Sequence, residues 1–144
     1  MSELKQFCTF LLEGMLYGIE VERVQEVLSA HEITRLPARN AAVRGLLNLR
    51  GQIVPVVDLR HCLGLPARPA GVAPANVVVR SAEGAISLWV DEIGDVVEVS
   101  QDAFERPPAA LNARGGELIR GAYKLENGLL LVLDIARTLQ SATV

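Results

Sequence analysis

The stretch "GLLNLRGQIVPVVDLRHCLGLP", Gly45 to Pro66, carries the pattern on which the fold turns. Two apolar runs flank a charged turn, Asn48-Leu49-Arg50-Gly51, and the second run ends at Asp58, where the hydrophobic period changes. Asn48 and Gly51 are turn formers: an Asn side chain bonds nearby backbone, and Gly adopts left-handed dihedrals without a steric penalty. "QIVPVVDL" is short and nearly all apolar, which predicts a strand buried on both faces. Pro55 donates no ladder hydrogen bond, so an edge or a bulge is expected there. Asp58 then caps a short helix by accepting first-turn amides, and Gly64 ends it with Pro66 beyond.

Working outward, the pattern recurs. Val43 to Leu63, "VRGLLNLRGQIVPVVDLRHCL", aligns without a gap on Ile119 to Leu139, "IRGAYKLENGLLLVLDIARTL", at an offset of 76. Arg44, Gly45, Leu49, Val56 and Asp58 meet Arg120, Gly121, Leu125, Val132 and Asp134. Val21 to Val27, "VERVQEV", aligns on Val90 to Val96, "VDEIGDV", at an offset of 69. The second copy thus carries about seven more residues, which fall in the loop-like "ERPPAALNARGG". "LPARPAGVAPA", Leu65 to Ala75, reads as the connection between copies. Around Glu13-Gly14 the flanking runs predict a hairpin.

These elements predict a mainly β chain: one domain over 1–144 made of two pseudo-repeated small barrels, about 15–65 and 75–140. The N-terminal strand is available to complete the second barrel, and a short helix follows the last long strand of each.

Composition narrows the function. Half of the 144 residues are apolar and only 4% aromatic, which excludes a disordered chain and predicts an aliphatic core. A net charge of −3 gives no basic field for nucleic acid. No run approaches the roughly 18 apolar residues of a membrane span, and "MSELKQF" does not read as a secretory signal, so a cytoplasmic setting is expected. Cys8 and Cys62 suit reduced thiols better than a disulfide framework.

Catalytic motifs are wanting. Asp58 and Asp134 are related by the repeat and serve either as two helix caps or as a carboxylate pair for acid–base work. His61, Cys62 and His31 have no metal-site spacing, and no phosphate-binding glycine motif or nucleophile elbow occurs. No enzyme, cofactor or metal is therefore expected. An aspartate-dependent hydrolase or a ligand-binding barrel is the alternative, and a cavity holding both aspartates would mark it. Trp89, the single tryptophan, is read either as core or as an exposed anchor for a partner. Arg50 meets Glu126 in the repeat, so the duplicated fold does not require arginine at that turn. It is a solvated turn charge, a partner contact, or half of an ion pair with a carboxylate such as Glu26.

"YGIEVERVQEVL" (Tyr17 to Leu28), "ITRLP" (Ile33 to Pro37), "GLLNLRGQIVPVVDLR" (Gly45 to Arg60) and "VDEIGDVVEV" (Val90 to Val99) resemble CheW-like chemotaxis coupling proteins, in family order over nearly the whole chain. The resemblance implies two SH3-like five-stranded barrels around a shared apolar interface. It implies a non-enzymatic adaptor that links the cytoplasmic tips of methyl-accepting chemoreceptors to the regulatory domain of a CheA-type histidine kinase, which has the same fold. In the family the groove between barrels takes the receptor's helical hairpin, and barrel ends contact the kinase. Carried onto this chain, Val24, Glu26 and Arg50 are contact or support residues, and Asn48 and Gly51 shape the turn. Val24, Val27 and Ile93 are expected to line the groove. Arg50 paired with Glu26 would let its planar fork bond a carboxylate at two points. Ser87-Leu88-Trp89 departs from the family, whose relatives often carry a glycine-containing stretch there. An adaptor in a sensory pathway with a non-motility output is a further alternative.

Overall fold

The computed structural model describes residues 3–36, 41–106 and 116–142. The first repeat unit runs β1 (Leu4–Leu12), β2 (Met15–Glu20), β3 (Val24–Leu28), β4 (Thr34–Arg35), β5 (Val43–Leu49), β6 (Gln52–Asp58) and α1 (Leu59–Cys62). The second runs β7 (Ala75–Ser81), β8 (Gly84–Val90), β9 (Glu92–Ser100), β10 (Phe104–Glu105), β11 (Ile119–Leu125), β12 (Gly128–Leu133) and α2 (Ile135–Ala142). The 69-residue offset therefore reaches further than the "VERVQEV" pair, because it also maps the β1–β2 hairpin onto β7–β8. Much of the loop carrying the extra residues lies outside the described residues.

The sheets do not follow the sequence halves. One six-stranded sheet has the order β4-β5-β6-β8-β7-β3, the other β10-β11-β12-β2-β1-β9. Each half thus gives its opening hairpin to the other half's sheet. A split at 15–65 and 75–140 is corrected on this point: β2 belongs with β9–β12, and β7 and β8 belong with β3–β6. The joints are two equivalent parallel pairings, Val56↔Ser87 to Asp58↔Trp89 and Leu130↔Leu16 to Val132↔Gly18. The two-residue strands β4 and β10 make six strands in each sheet instead of five, and among the described residues no ladder joins a sheet's two edges.

Alternation along the strands produces three apolar clusters. Leu88 and Val90 face the layer between the sheets, together with Phe10, Ile19, Val57, Val79, Leu131 and Leu133. Trp89, on the opposite face, packs inside the first sheet with Leu47, Leu49, Val54, Val56 and Val78. Phe7, Val99, Tyr123, Leu130 and Val132 fill the second sheet. Strands buried on both faces explain the continuous apolar runs. The shared interface is the largest of the three clusters, and Trp89 is core.

Pro55 sits on a central strand, between β5 and β8, and not on an edge. It is tolerated because the ladder to β8 covers only Val56 to Asp58, leaving Pro55 just beyond its end. The caps form as the sequence predicts. Asp58 Oδ1 accepts from the Arg60 amide at 3.1 Å, and Asp134 Oδ1 from the Arg137 amide at 3.0 Å. After α1 the Leu65 amide donates back to the Arg60 carbonyl at 2.8 Å, with Gly64 left-handed between them.

Candidate functional site

The turn joining β5 to β6 is a two-residue loop, Arg50-Gly51, between the paired Leu49 and Gln52. Both residues have positive φ, +51° and +85°, the geometry whose twist matches that of antiparallel strands. The Gly51 amide donates to Asn48 Oδ1 at 3.0 Å, so Asn48 and Gly51 shape the turn as expected. Arginine is a poor choice for left-handed backbone, and its side chain is 70% exposed. Backbone geometry and core packing both fail to account for it. What it does touch is Glu26, through a hydrogen-bonded ion pair from Nη2 to Oε2. That contact uses one guanidinium nitrogen, so the two-point fork does not form within the chain.

Glu26 lies on β3, at one edge of its sheet, while Arg50 tops a hairpin near the other. Their contact spans the mouth of the curled sheet and ties β3 down. The hydrogen bond from Arg50, aided by its charge, holds the Glu26 carboxyl below its usual range against the opposing effect of desolvation.

The residue after Glu26 is Val27, 43% exposed. Val27 and Ile93 border one open cavity of about 380 Å³ between the sheets, with Leu28, Ala73, Ala75 and Asp91. Val24 is not on its wall. It is half-buried and packs against the inter-sheet core. The register explains this division: Val24 pairs with Val79 and Val27 with Val77, and the bulge between them sets Glu26 opposite Val78 on the other face. Five of the sequence-derived site residues, Glu26, Val27, Asn48, Arg50 and Gly51, therefore gather on β3 and the facing turn. Ile93 joins across the cavity, and Val24 supports from beneath.

A second charged assembly borders the same cavity and was not anticipated. Arg60 donates from Nε to Asp91 Oδ1 at 2.9 Å and from Nη2 to Oδ2 at 2.6 Å, a two-point pair, and from Nη1 to the Pro66 carbonyl at 2.9 Å. Arg68, from the connection between halves, donates to Asp91 Oδ1 at 3.1 Å, lies 3.5 Å from Asp58 and stacks 5.8 Å from the Trp89 ring. Burial pushes the Asp91 carboxyl up, but the Arg60 hydrogen bonds, the Glu13 amide, the Arg60 charge and Arg68 together bring it down to about 2. The Pro- and Ala-rich connection is thus clamped to the groove wall. The available signal was a charge set inside apolar runs, Arg60 in "VVDLRHCL" and Asp91 after "LWV".

The corresponding mouth of the second sheet is different. Glu26 maps to Asp95 and Arg50 to Glu126, so a like pair of charges replaces the ion pair. Both border an open cavity of about 640 Å³ with Leu11, Leu16, Leu125 and Leu129.

Asp58 and Asp134 do not converge. Asp58 is buried beside Arg44 and Arg68, at 3.3 and 3.5 Å. Asp134 borders a cavity of about 300 Å³ with Glu20, Arg23 and Arg120, whose wall does not include Asp58. With both carboxylates capping helices, the hydrolase reading loses its site. Among the described residues no group of three or more His, Cys, Asp or Glu could hold a metal ion, and no helix is long and apolar enough to cross a membrane.

Comparison with known proteins agrees with this architecture. The CheW-like domain family matches residues 6–143. Chemotaxis protein CheW of Treponema pallidum is 30% identical, over 97% of this chain and 85% of that protein. Chemotaxis protein CheW of Bacillus subtilis is 28% identical, over 90% and 83%. Protein PilI of Pseudomonas aeruginosa is 28% identical, over 85% and 68%. The crystal structure of the scaffolding protein TtCheW from Thermoanaerobacter tengcongensis superposes with a TM-score of 0.80 at 26% identity, covering 92% of this chain and 89% of that one. The exchanged hairpins, the two sheets and the match over 6–143 lead to one conclusion: this chain belongs to the CheW-like family of chemotaxis scaffold and adaptor proteins, which are not enzymes.

Proposed function

We propose that the chain is a cytoplasmic adaptor, recruited to receptor arrays, that couples methyl-accepting chemoreceptors to the regulatory domain of a CheA-type histidine kinase. The observation that carries this reading is the groove between the sheets. Its Val27 and Ile93 walls offer apolar surface at the end of a strand held in place by the Arg50–Glu26 pair. An amphipathic helix seats its apolar face in such a groove. The kinase domain, taken to share this fold, would meet the barrel ends.

Val27 is a better probe than Val24, because it is exposed whereas Val24 packs on the core. Val27→Asp should keep the melting midpoint and weaken binding of a receptor-tip fragment by about tenfold or more, since an interface anchor carries ~2 kcal/mol. Titration of wild type and variant against that fragment is the test, and unchanged affinity would remove the groove from the reading.

An adaptor whose pathway has another output is the second reading, favoured by the similarity to Protein PilI, which does not carry a chemotaxis name. Deleting the gene in its host and scoring swimming against surface behaviours separates the two.

A further inference from the structure

The connection between the halves forms part of a cavity wall. Ala73, and Ala75 at the junction with β7, border the cavity of about 380 Å³ together with Val27, Ile93 and Asp91. Between Arg68 and β7 the chain makes a backbone turn, with the Val72 amide on the Pro69 carbonyl at 3.2 Å, and Pro69 and Pro74 restrict its φ. Upstream it is anchored by side chains. Arg60 Nη1 holds the Pro66 carbonyl, and Arg68 reaches Asp91, Asp58 and the Trp89 ring.

By charge, Arg68 is in excess there. Asp58 already has Arg44 at 3.3 Å, and Asp91 already has the two-point pair with Arg60. Arg44, Arg60 and Arg68 thus share two carboxylates. The Arg68 side chain is only 8% exposed, and its Nη2 is buried without a hydrogen-bond partner, 3.5 Å from Asp58. A further buried cation with an incomplete set of bonds loses its hydration for little return in stability. The duplicated frame also does without it: neither repeat alignment reaches position 68, Arg60 maps to Ala136 and Asp91 to Glu22. Charge pairing therefore does not account for Arg68.

We infer that Arg68 is a positioning residue for the receptor groove: by pinning the connection to Asp91, it fixes the wall that carries Ala73. An incoming helix then meets a finished surface, and binding carries no added cost of ordering the connection. The inference rests on the adaptor reading for the identity of the helix, while the role of Arg68 comes from the excess charge and the shared wall.

Arg68→Met keeps an apolar stem beside Trp89 and leaves both aspartates paired, so the melting midpoint should stay within a few degrees of wild type. The Val72 and Ala73 amides should exchange hydrogen about tenfold faster, with the Val78 amide in β7 unchanged. Affinity for a receptor-tip fragment should fall about five- to tenfold, the size of the added ordering cost. Arg68→Lys keeps a cation for Asp91 without the fork that also approaches Asp58, and should lie between wild type and Arg68→Met in both readouts. Wild-type affinity in Arg68→Met, whatever the exchange, overturns the inference and leaves the adaptor reading standing. So does a loss of affinity with Val72 exchange unchanged, or one in which the midpoint falls and Val78 speeds up with Val72, the pattern of a residue that serves stability alone. If wild type itself does not bind the fragment, the receptor half of the adaptor reading falls, and this inference with it.

Discussion

The two sheets share strand order, register and parallel joints, yet they are filled differently. Where the first sheet has Asn76 and Ser87, the second has Phe7 and Gly18. In the first, Ser87 Oγ lies 2.9 Å from Asn76 Oδ1, and Asn76 Nδ2 donates to the Ser29 carbonyl at 3.2 Å, so two buried polar groups satisfy each other and the backbone. In the second, Phe7 packs against Tyr123 with ring centroids 5.5 Å apart, and a Cβ added at Gly18 would come within 2.9 Å of Leu130 and 3.2 Å of Phe7. Bulk on one strand is matched by its absence on the next. The lesson extends to charge: Asp91 is gripped by two arginines, whereas its repeat counterpart Glu22 is exposed, and Arg60 maps to Ala136. Duplication keeps the hydrogen-bonded frame and leaves the filling free to diverge, provided that each pair of neighbours changes together.

The strongest way to break this comparison is at Asp91. Asp91→Asn would leave Arg60 without its paired carboxylate and Arg68 with Asp58 alone, and losing one partner of a largely buried pair costs about 3–5 kcal/mol. Glu22→Gln, at the equivalent position, should leave stability within ~0.5 kcal/mol of wild type. Wild-type stability should also respond to acid. Asp91 is held at about 2, below its ordinary 3.8. Its contribution is therefore full above about pH 4 and is lost as the pH falls towards 2, amounting to about 2 kcal/mol. Chemical denaturation across that range reads both effects. Equal acid sensitivity in wild type and Asp91→Asn would show that this carboxylate is not the responsive group.

A smaller effect is expected at Gly18. Gly18→Ser installs the residue that the other sheet carries natively, yet it should cost about 1–3 kcal/mol, because Phe7 and Leu130 leave no room for the added atoms. The reciprocal Ser87→Gly should be milder in packing terms and act mainly by stranding Asn76. If Gly18→Ser melts like the wild type, the matched-pair account of the two cores is wrong.

The smallest stability change, with a large change in binding, belongs to the mouth of the first sheet. Arg50→Gly relieves a left-handed arginine and removes an exposed ion pair, two modest and opposed effects. The melting midpoint should therefore move by no more than a few degrees. Arg50→Lys can keep a one-point contact with Glu26 but loses the fork's remaining edge. Both variants should bind the receptor tip more weakly than wild type. Full binding by Arg50→Lys would reduce the role of this residue to its charge. A large fall in stability with binding per folded molecule intact would make it structural.

What the sequence determined by itself was local. The strand periods, the Arg50-Gly51 turn, the Asp58 and Asp134 caps and the Gly64 stop are set by steric and hydrogen-bonding preferences of residues within a few positions of one another. The repeat was legible for the same reason, because equal local patterns recur at constant offsets. Alternation along "AISLWVDEI" placed Trp89 and Leu88 on opposite faces, but alternation cannot say which sheet lies against a face. Only the tertiary structure decided that β2 and β8 cross into the opposite sheets, that Pro55 is central, that Val27 and not Val24 borders the cavity beside Ile93, and that Arg68 reaches from the connection to Asp91. Each of these rests on contacts between segments far apart in the chain. Their free energy comes from burial and charge pairing in the assembled fold, and no local preference encodes it.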